Sequence, residues 1–129
     1  MYNQAGKELA MLYDIKMESM PREELKALQL KRLQDVANRV YYNVPFYHKR
    51  FDELGVKPTD IRSLDDIRRL PFTTKQDLRD RYPLGFMAVP RENIARLHAS
   101  SGTTGQAVVG CYTKRDLKNW ARMGCRCLM

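Results

Sequence analysis

The sequence predicts an α+β fold: a helix-rich N-terminal region, then a strand, a small-residue loop, a second strand and a last helix. Three observations carry this prediction. Apolar residues up to about position 85 recur at three- and four-residue steps, interrupted by Pro and Gly. Two later runs, "ENIARLHAS" (92–100) and "QAVVGCYT" (106–113), are short and read as strands. Between them stand Ser100, Ser101, Gly102, Thr103, Thr104 and Gly105, a run too small and polar to pack.

The first long helix lies in "PREELKALQLKRLQDVANRVYYNVP" and is placed at about residues 21–42. Pro21 suits the first helical position, where its missing donor would be unpaired anyway. Glu23 and Glu24 fall in the electropositive first turn. Leu25, Leu28, Leu33, Val36, Ala37 and Val40 make one apolar stripe, and Asn43 and Pro45 end it. A short helix follows in "PFYHKRFDELGV", with Phe46, Tyr47, Phe51 and Leu54 on its apolar side and Gly55 as its stop. Ser63 with Asp66 starts another helix that Pro71 closes. Thr74 caps the next, ahead of Pro83. Thr113 with Asp116 caps the last, in which Leu117, Trp120, Ala121, Gly124, Cys127 and Leu128 line one face. That stripe runs to Met129 without a stop signal, and two strands make a poor sheet alone. The expectation is a truncated piece of a longer protein.

At 129 residues the chain holds at most one ordinary domain. Lys plus Arg is 23 against 15 for Asp plus Glu, a net charge of +8 that points to phosphate, nucleic acid or an acidic partner. The signs are interspersed, as in "KRDLK", which is how a solvated surface reads. Cys111, Cys125 and Cys127 are odd in number and, with only His48 and His98 available, show no zinc spacing. A reduced, intracellular and cytoplasmic protein is expected. The first residues lack the apolar core of a signal peptide or membrane span.

Phosphate binding needs converging amides, hydroxyl donors and close approach. Gly102 and Gly105 permit the approach, and Ser100, Ser101, Thr103 and Thr104 supply hydroxyls. A Walker A loop is excluded: no Lys follows Gly105, and a strand rather than a helix comes next. On its own the loop reads as a flexible hairpin.

The wider sequence changes that reading. "LHASSGTTG" with "VVGCYT" resembles the phosphate loop of adenylate-forming enzymes, and "LPFTTKQDLRD" (70–80) is similar to the phenylacetate–CoA ligase branch. The resemblance extends from "MESMPREELKALQLKRLQ" (17–34) to "YTKRDLKNWARMGCRCLM" (112–129). It implies an incomplete piece of the N-terminal domain of such an enzyme, with a helical region at 1–70 and the start of the AMP-binding domain at 71–129. It implies an enzyme that uses ATP and Mg²⁺ to convert an aryl acid such as phenylacetate into an acyl-adenylate, and then CoA to make the thioester. Ser100, Ser101, Gly102, Thr103, Thr104 and Gly105 would hold the β- and γ-phosphates. Two departures stand out: Gln106 and Ala107 occupy positions where the family has Lys and Pro, so Gln106 can donate a hydrogen bond but brings no charge. The acidic residue associated with Mg²⁺, the ribose-binding Asp and the catalytic Lys lie beyond Met129 in the family pattern. The chain alone is therefore expected to contain no catalytic or metal-binding residue and to be inactive.

The remaining notable residues have plainer readings. Lys75 is a surface charge, Trp120 a core residue, His98 a hydrogen-bonded strand histidine, and the cysteines semi-buried thiols. Tyr41, Tyr42 and Tyr47 serve helix packing. The partners implied are the aryl acid, ATP and CoA, with no nucleic acid and no membrane; a homodimer through uncovered apolar faces is also compatible. The alternatives are a basic helical nucleic-acid-binding module and a protein-interaction module.

Overall fold

The computed structural model describes residues 13–101 and 106–128. It begins with one helical turn, α1 (Ile15–Glu18), whose Glu18 carboxylate accepts from the Asp14 backbone N–H at 3.0 Å. The long helix α2 spans Arg22–Asn43. Pro21 is its N-cap rather than its first residue: ψ is 143°, and its carbonyl accepts from the Leu25 N–H at 2.9 Å. Proline has no donor at either position, so nothing is lost by the shift. Val44 precedes Pro45 and is driven into extended geometry (φ −121°, ψ 105°), which ends α2. Pro45 then opens α3 (Pro45–Glu53), and Gly55, at φ 63°, turns the chain out of it.

α2 and α3 close a core. Ala37, Tyr41, Phe51, Val56 and Ile61 form one buried cluster, rimmed by Leu30, Leu33, Val40, Tyr47 and Leu70. The Tyr41 ring is buried, and its hydroxyl donates to Asp52 (2.9 Å) while accepting from Lys57 Nζ (2.7 Å). Lys57 also pairs with Asp52, and that ammonium holds the Asp52 carboxyl below the usual aspartate range. Gln34 ties α2 to the turn beyond α3 by donating to the Ile61 carbonyl at 2.8 Å. Tyr41 and Tyr47 serve packing as the sequence predicts, whereas Tyr42 is exposed.

Two 3₁₀ segments follow, Pro58–Asp60 and Leu64–Arg69. The Ser63–Asp66 capping box forms as expected, but the helix it starts is the tighter kind. Pro71 holds Leu70 extended (ψ 147°), which leaves six residues for a helix. α4 (Lys75–Asp80) carries a full capping box: Thr74 Oγ1 accepts from the Asp77 N–H, and the Asp77 carboxylate accepts from the Thr74 N–H at 2.8 Å. The segment after α4 is stitched to α3 by Phe86, whose ring lies 4.9 Å from Phe46 and 5.6 Å from Tyr47.

A 3₁₀ turn at Arg91–Asn93 leads into β1 (Ile94–Ala99), which pairs antiparallel with β2 (Val109–Thr113). Register runs from Ile94↔Thr113 to Ala99↔Val109, with an irregularity between Ile94 and Arg96. α5 (Lys114–Leu128) starts at the predicted Thr113–Asp116 box. Its apolar stripe is a correction to the sequence reading: no residue of α5 is buried, Trp120 is 52% exposed and Leu128 89%. A two-stranded ribbon is too narrow to cover fifteen helical residues. α1 covers part of the far end through Asp14–Arg122 and Glu18–Arg126 ion pairs. Among the described residues, no helix is long and apolar enough to cross a membrane.

Candidate phosphate-binding site

Of the predicted loop residues, Ser100, Ser101 and Gln106 are described, and all three are exposed. Gly102, Thr103, Thr104 and Gly105 lie outside the described residues. The stem is closed by two bonds beyond the last strand pair. The Ser100 N–H donates to the Val108 carbonyl at 3.0 Å, and the Val108 N–H donates to Ser100 Oγ at 2.9 Å. Ser100 therefore shapes the hairpin with its oxygen as acceptor. Sequence reasoning assigned Ser100 only a ligand role; its stem role depends on register, which the pattern of small residues does not encode.

The ribbon has two distinct faces because strand side chains alternate. On one, Val109 and Cys111 line a cleft of about 540 Å³ with Arg32, Arg39, Leu84 and Phe86. Partial burial pushes the pKa of the Cys111 thiol upward, which disfavours the thiolate. Ser100, Ser101 and Gln106 do not line this cleft.

The other face carries rings. His98 lies 5.1 Å from Tyr112 and 5.3 Å from Trp120, and Tyr112 stacks on Trp120 at 5.7 Å. His98 and Trp120 were expected to be a hydrogen-bonded histidine and a core tryptophan, each taken singly. The structure gives them each other, because His98 pairs with Gly110 across the ribbon and Tyr112 is two residues further on. Gly110 between two strand apolars was the available signal.

At the base of β2 the cap fixes how α5 leaves the ribbon. Thr113 N–H donates to the Asp116 carboxylate at 2.9 Å, and this bond holds Asp116 below the usual aspartate range, helped by Arg39 and Arg115. Cys125 is half-buried and Cys127 exposed, so only part of the expectation for the cysteines holds. Among the described residues no group of three or more His, Cys, Asp or Glu is placed to hold a metal ion.

No protein-family model matches the chain. Curated relatives do. The phenylacetate–coenzyme A ligase of Thermus thermophilus is 53% identical over 92% of the chain, which is 26% of the relative's length. That of Escherichia coli is 50% identical over 87% of the chain and 26% of its own length. Among solved structures, a 2-hydroxyisobutyryl-CoA ligase in complex with 2-HIB-AMP and CoA, in its thioesterification state, superposes with a TM-score of 0.75. It is 32% identical over 86% of the chain and 24% of that protein. The same ligase in its postadenylation state superposes with a TM-score of 0.71. The chain spans about a quarter of the length of these relatives. Over nearly all of its own residues the chain is thus homologous to a quarter of the length of phenylacetate–CoA ligases, and its fold neighbours are adenylate-forming CoA ligases.

Proposed function

We propose that this chain is the N-terminal part of an ATP-dependent aryl acid–CoA ligase, with phenylacetate or a related aromatic acid as substrate. Residues 1–70 would form its helical region and 71–129 the start of its AMP-binding domain. The observation that carries the reading is a Ser-clasped hairpin around residues 100–108 in a chain about half identical to phenylacetate–CoA ligases.

In the proposed reaction a carboxylate oxygen attacks the α-phosphorus of ATP. The bond to the β-phosphate oxygen breaks, and pyrophosphate leaves. The CoA thiolate then attacks the acyl carbon of the adenylate and expels AMP. The contribution of Ser100, Ser101, Gly102, Thr103, Thr104 and Gly105 is to hold the β- and γ-phosphates. This aligns the α-phosphorus for in-line attack and stabilises charge on the departing pyrophosphate. Gln106 adds a neutral donor where a cation would be stronger. Mg²⁺, when bound, would neutralise polyphosphate charge; this reading assigns it no ligand within the chain. Nucleic acid and membrane have no part in this reading, and the 129-residue chain alone is inactive.

The test is acid-dependent ATP–pyrophosphate exchange by the full-length protein, with phenylacetate and 2-hydroxyisobutyrate as alternative acids. Changing Thr103 and Thr104 together to Ala is expected to raise the KM for ATP and slow exchange by about 10²-fold, the scale of losing oriented charge-stabilising donors. Unchanged exchange overturns the phosphate role. Exchange driven by 2-hydroxyisobutyrate but not phenylacetate overturns the aryl acid assignment.

A further inference from the structure

We infer that the cleft between α2, the segment 83–89 and β2 is a ligand site separate from the loop, and that it takes a carboxylate carried on an apolar body, such as a medium-chain fatty acid.

The cleft measures about 540 Å³, within the roughly 300–1,000 Å³ of small-molecule sites. Its floor is apolar. Leu84, Phe86, Met87, Val89, Val109 and Cys111 line it, and each is half-buried, so each keeps surface to offer a ligand. Val36, on the α2 wall, is 45% exposed. The wall at 83–89 is preformed. Gly85 brings the chain so close to the end of α4 that a Cβ there would stand 2.7 Å from the Arg81 carbonyl oxygen. The turn is closed by the Gly85 N–H, which donates to that carbonyl at 2.9 Å. Phe86, next in the chain, is packed on buried Phe46 at 4.9 Å between ring centres.

The rim is cationic. Arg32, Val36 and Arg39 follow one another at four- and three-residue spacings on α2, which puts them on one face. Arg115 enters from the first turn of α5. Among the described residues none of these three arginines forms an ion pair. Two carboxylates share the rim, and both are engaged. Lys31 holds Asp35 at 3.2 Å, and Thr113 donates to Asp116 from its N–H at 2.9 Å and its hydroxyl at 2.7 Å. Arg39 and Arg115 both lie near enough to Asp116 to help lower its value, so they converge at the start of α5. Surplus guanidinium groups over an apolar floor complement one class of small molecule. The floor takes the apolar body out of water, and the planar arginine forks match a carboxylate head. Ser100, Ser101 and Gln106 do not line the cleft, so the site stands apart from the phosphate reading.

The test is calorimetric titration of the 129-residue chain with octanoate, and with 1-octanol as a similar body without the charge. Saturable one-to-one binding of octanoate is expected, at least about tenfold tighter than octanol, the scale of a charge-assisted hydrogen bond. Changing Arg39 and Arg115 together to Gln is expected to weaken octanoate by about tenfold and to leave octanol unchanged. Val36→Trp, at an exposed helix position, is expected to block both by filling the cleft. Absence of saturable octanoate binding overturns the proposal, as does equal affinity for octanol. Binding that neither variant alters lies elsewhere and also overturns it. Amide chemical-shift mapping on the parent chain needs no variant to fold: octanoate must shift Val36, Leu84 and Cys111, and unshifted amides there overturn the site. The same titration of the full-length protein completes the test. Binding that still depends on Arg39 and Arg115 supports the site, and its loss in the longer chain shows a cleft covered by other residues and overturns it.

Discussion

The helical region from Arg22 to Leu70 and the ribbon region from Ile94 to Leu128 solve the problem of order differently. Every buried hydrophobic residue described lies between Ala37 and Ile61, and the ribbon and α5 contain none. The helical region is held by apolar area removed from water, which is non-directional and large. The ribbon region is held by particular contacts: a serine clasp, a ring enclosure, a capping box and two ion pairs. Such contacts fix geometry well but contribute modestly to stability.

The largest expected effect tests this contrast directly. Phe51 is 2% exposed at the centre of the cluster, so Phe51→Ala is expected to cost about 3–5 kcal/mol in urea unfolding. Leu97, on β1, is 57% exposed, and Leu97→Ala is expected to cost less than about 1 kcal/mol. Equal losses would mean that the ribbon is as much a core element as α3, and the contrast would be lost.

The same division explains what was legible in the sequence. Features set by residues within four positions of each other were readable: the α2 stripe, the Pro45 start, the Gly55 stop and the boxes at Ser63, Thr74 and Thr113. The core followed, because a periodic stripe and a short amphipathic helix joined by a tight turn have one good way to pack. The loop was legible as a composition, and the resemblance assigned it a phosphate role. Its construction was not. The clasp of Ser100 on Val108 and the meeting of His98, Tyr112 and Trp120 depend on which residues face each other across a hairpin, and one step of register would reverse every side chain. The α5 stripe misled for a related reason: periodicity reveals an apolar face but not the partner layer that buries it.

A middle-sized effect is expected where the ribbon region meets α1. Asp14 and Glu18, one turn apart, pair with Arg122 and Arg126, one turn apart on α5. Both carboxylates are 16% exposed, whereas the arginines are more than 40% exposed. Changing Asp14 to Asn and Glu18 to Gln together is expected to loosen the second half of α5 by about 1 kcal/mol, at the upper end for partly exposed pairs. Amide exchange should quicken from Arg122 onward while the protection of Phe51 stays unchanged. High salt should reproduce part of the loosening in the parent chain and none in the variant. A uniform change across α2 and α3 would show that α1 belongs to the core instead.

The smallest effect concerns the box that joins β2 to α5, and it should appear as a dependence on pH. The Thr113 backbone N–H is the main cause of the lowered Asp116 value, with Thr113 Oγ1, Arg39 and Arg115 adding to it. The folded value is below the ordinary 3.8, so the folded state favours the ionised form. The stabilisation is complete above about pH 3.8, the unfolded value, and is lost as pH falls through the lower folded value. Asp66 and Asp77, held low by the Arg62 N–H and the Thr74 hydroxyl respectively, behave in the same direction in the helical region. Acidification below pH 4 should therefore quicken exchange at the first turn of α5 and at the start of α4 before the Phe51 cluster opens. Asp116→Asn removes the titrating group and should flatten the α5 response while leaving that of α4 intact. Retention of the α5 response in Asp116→Asn would place its source outside the cap.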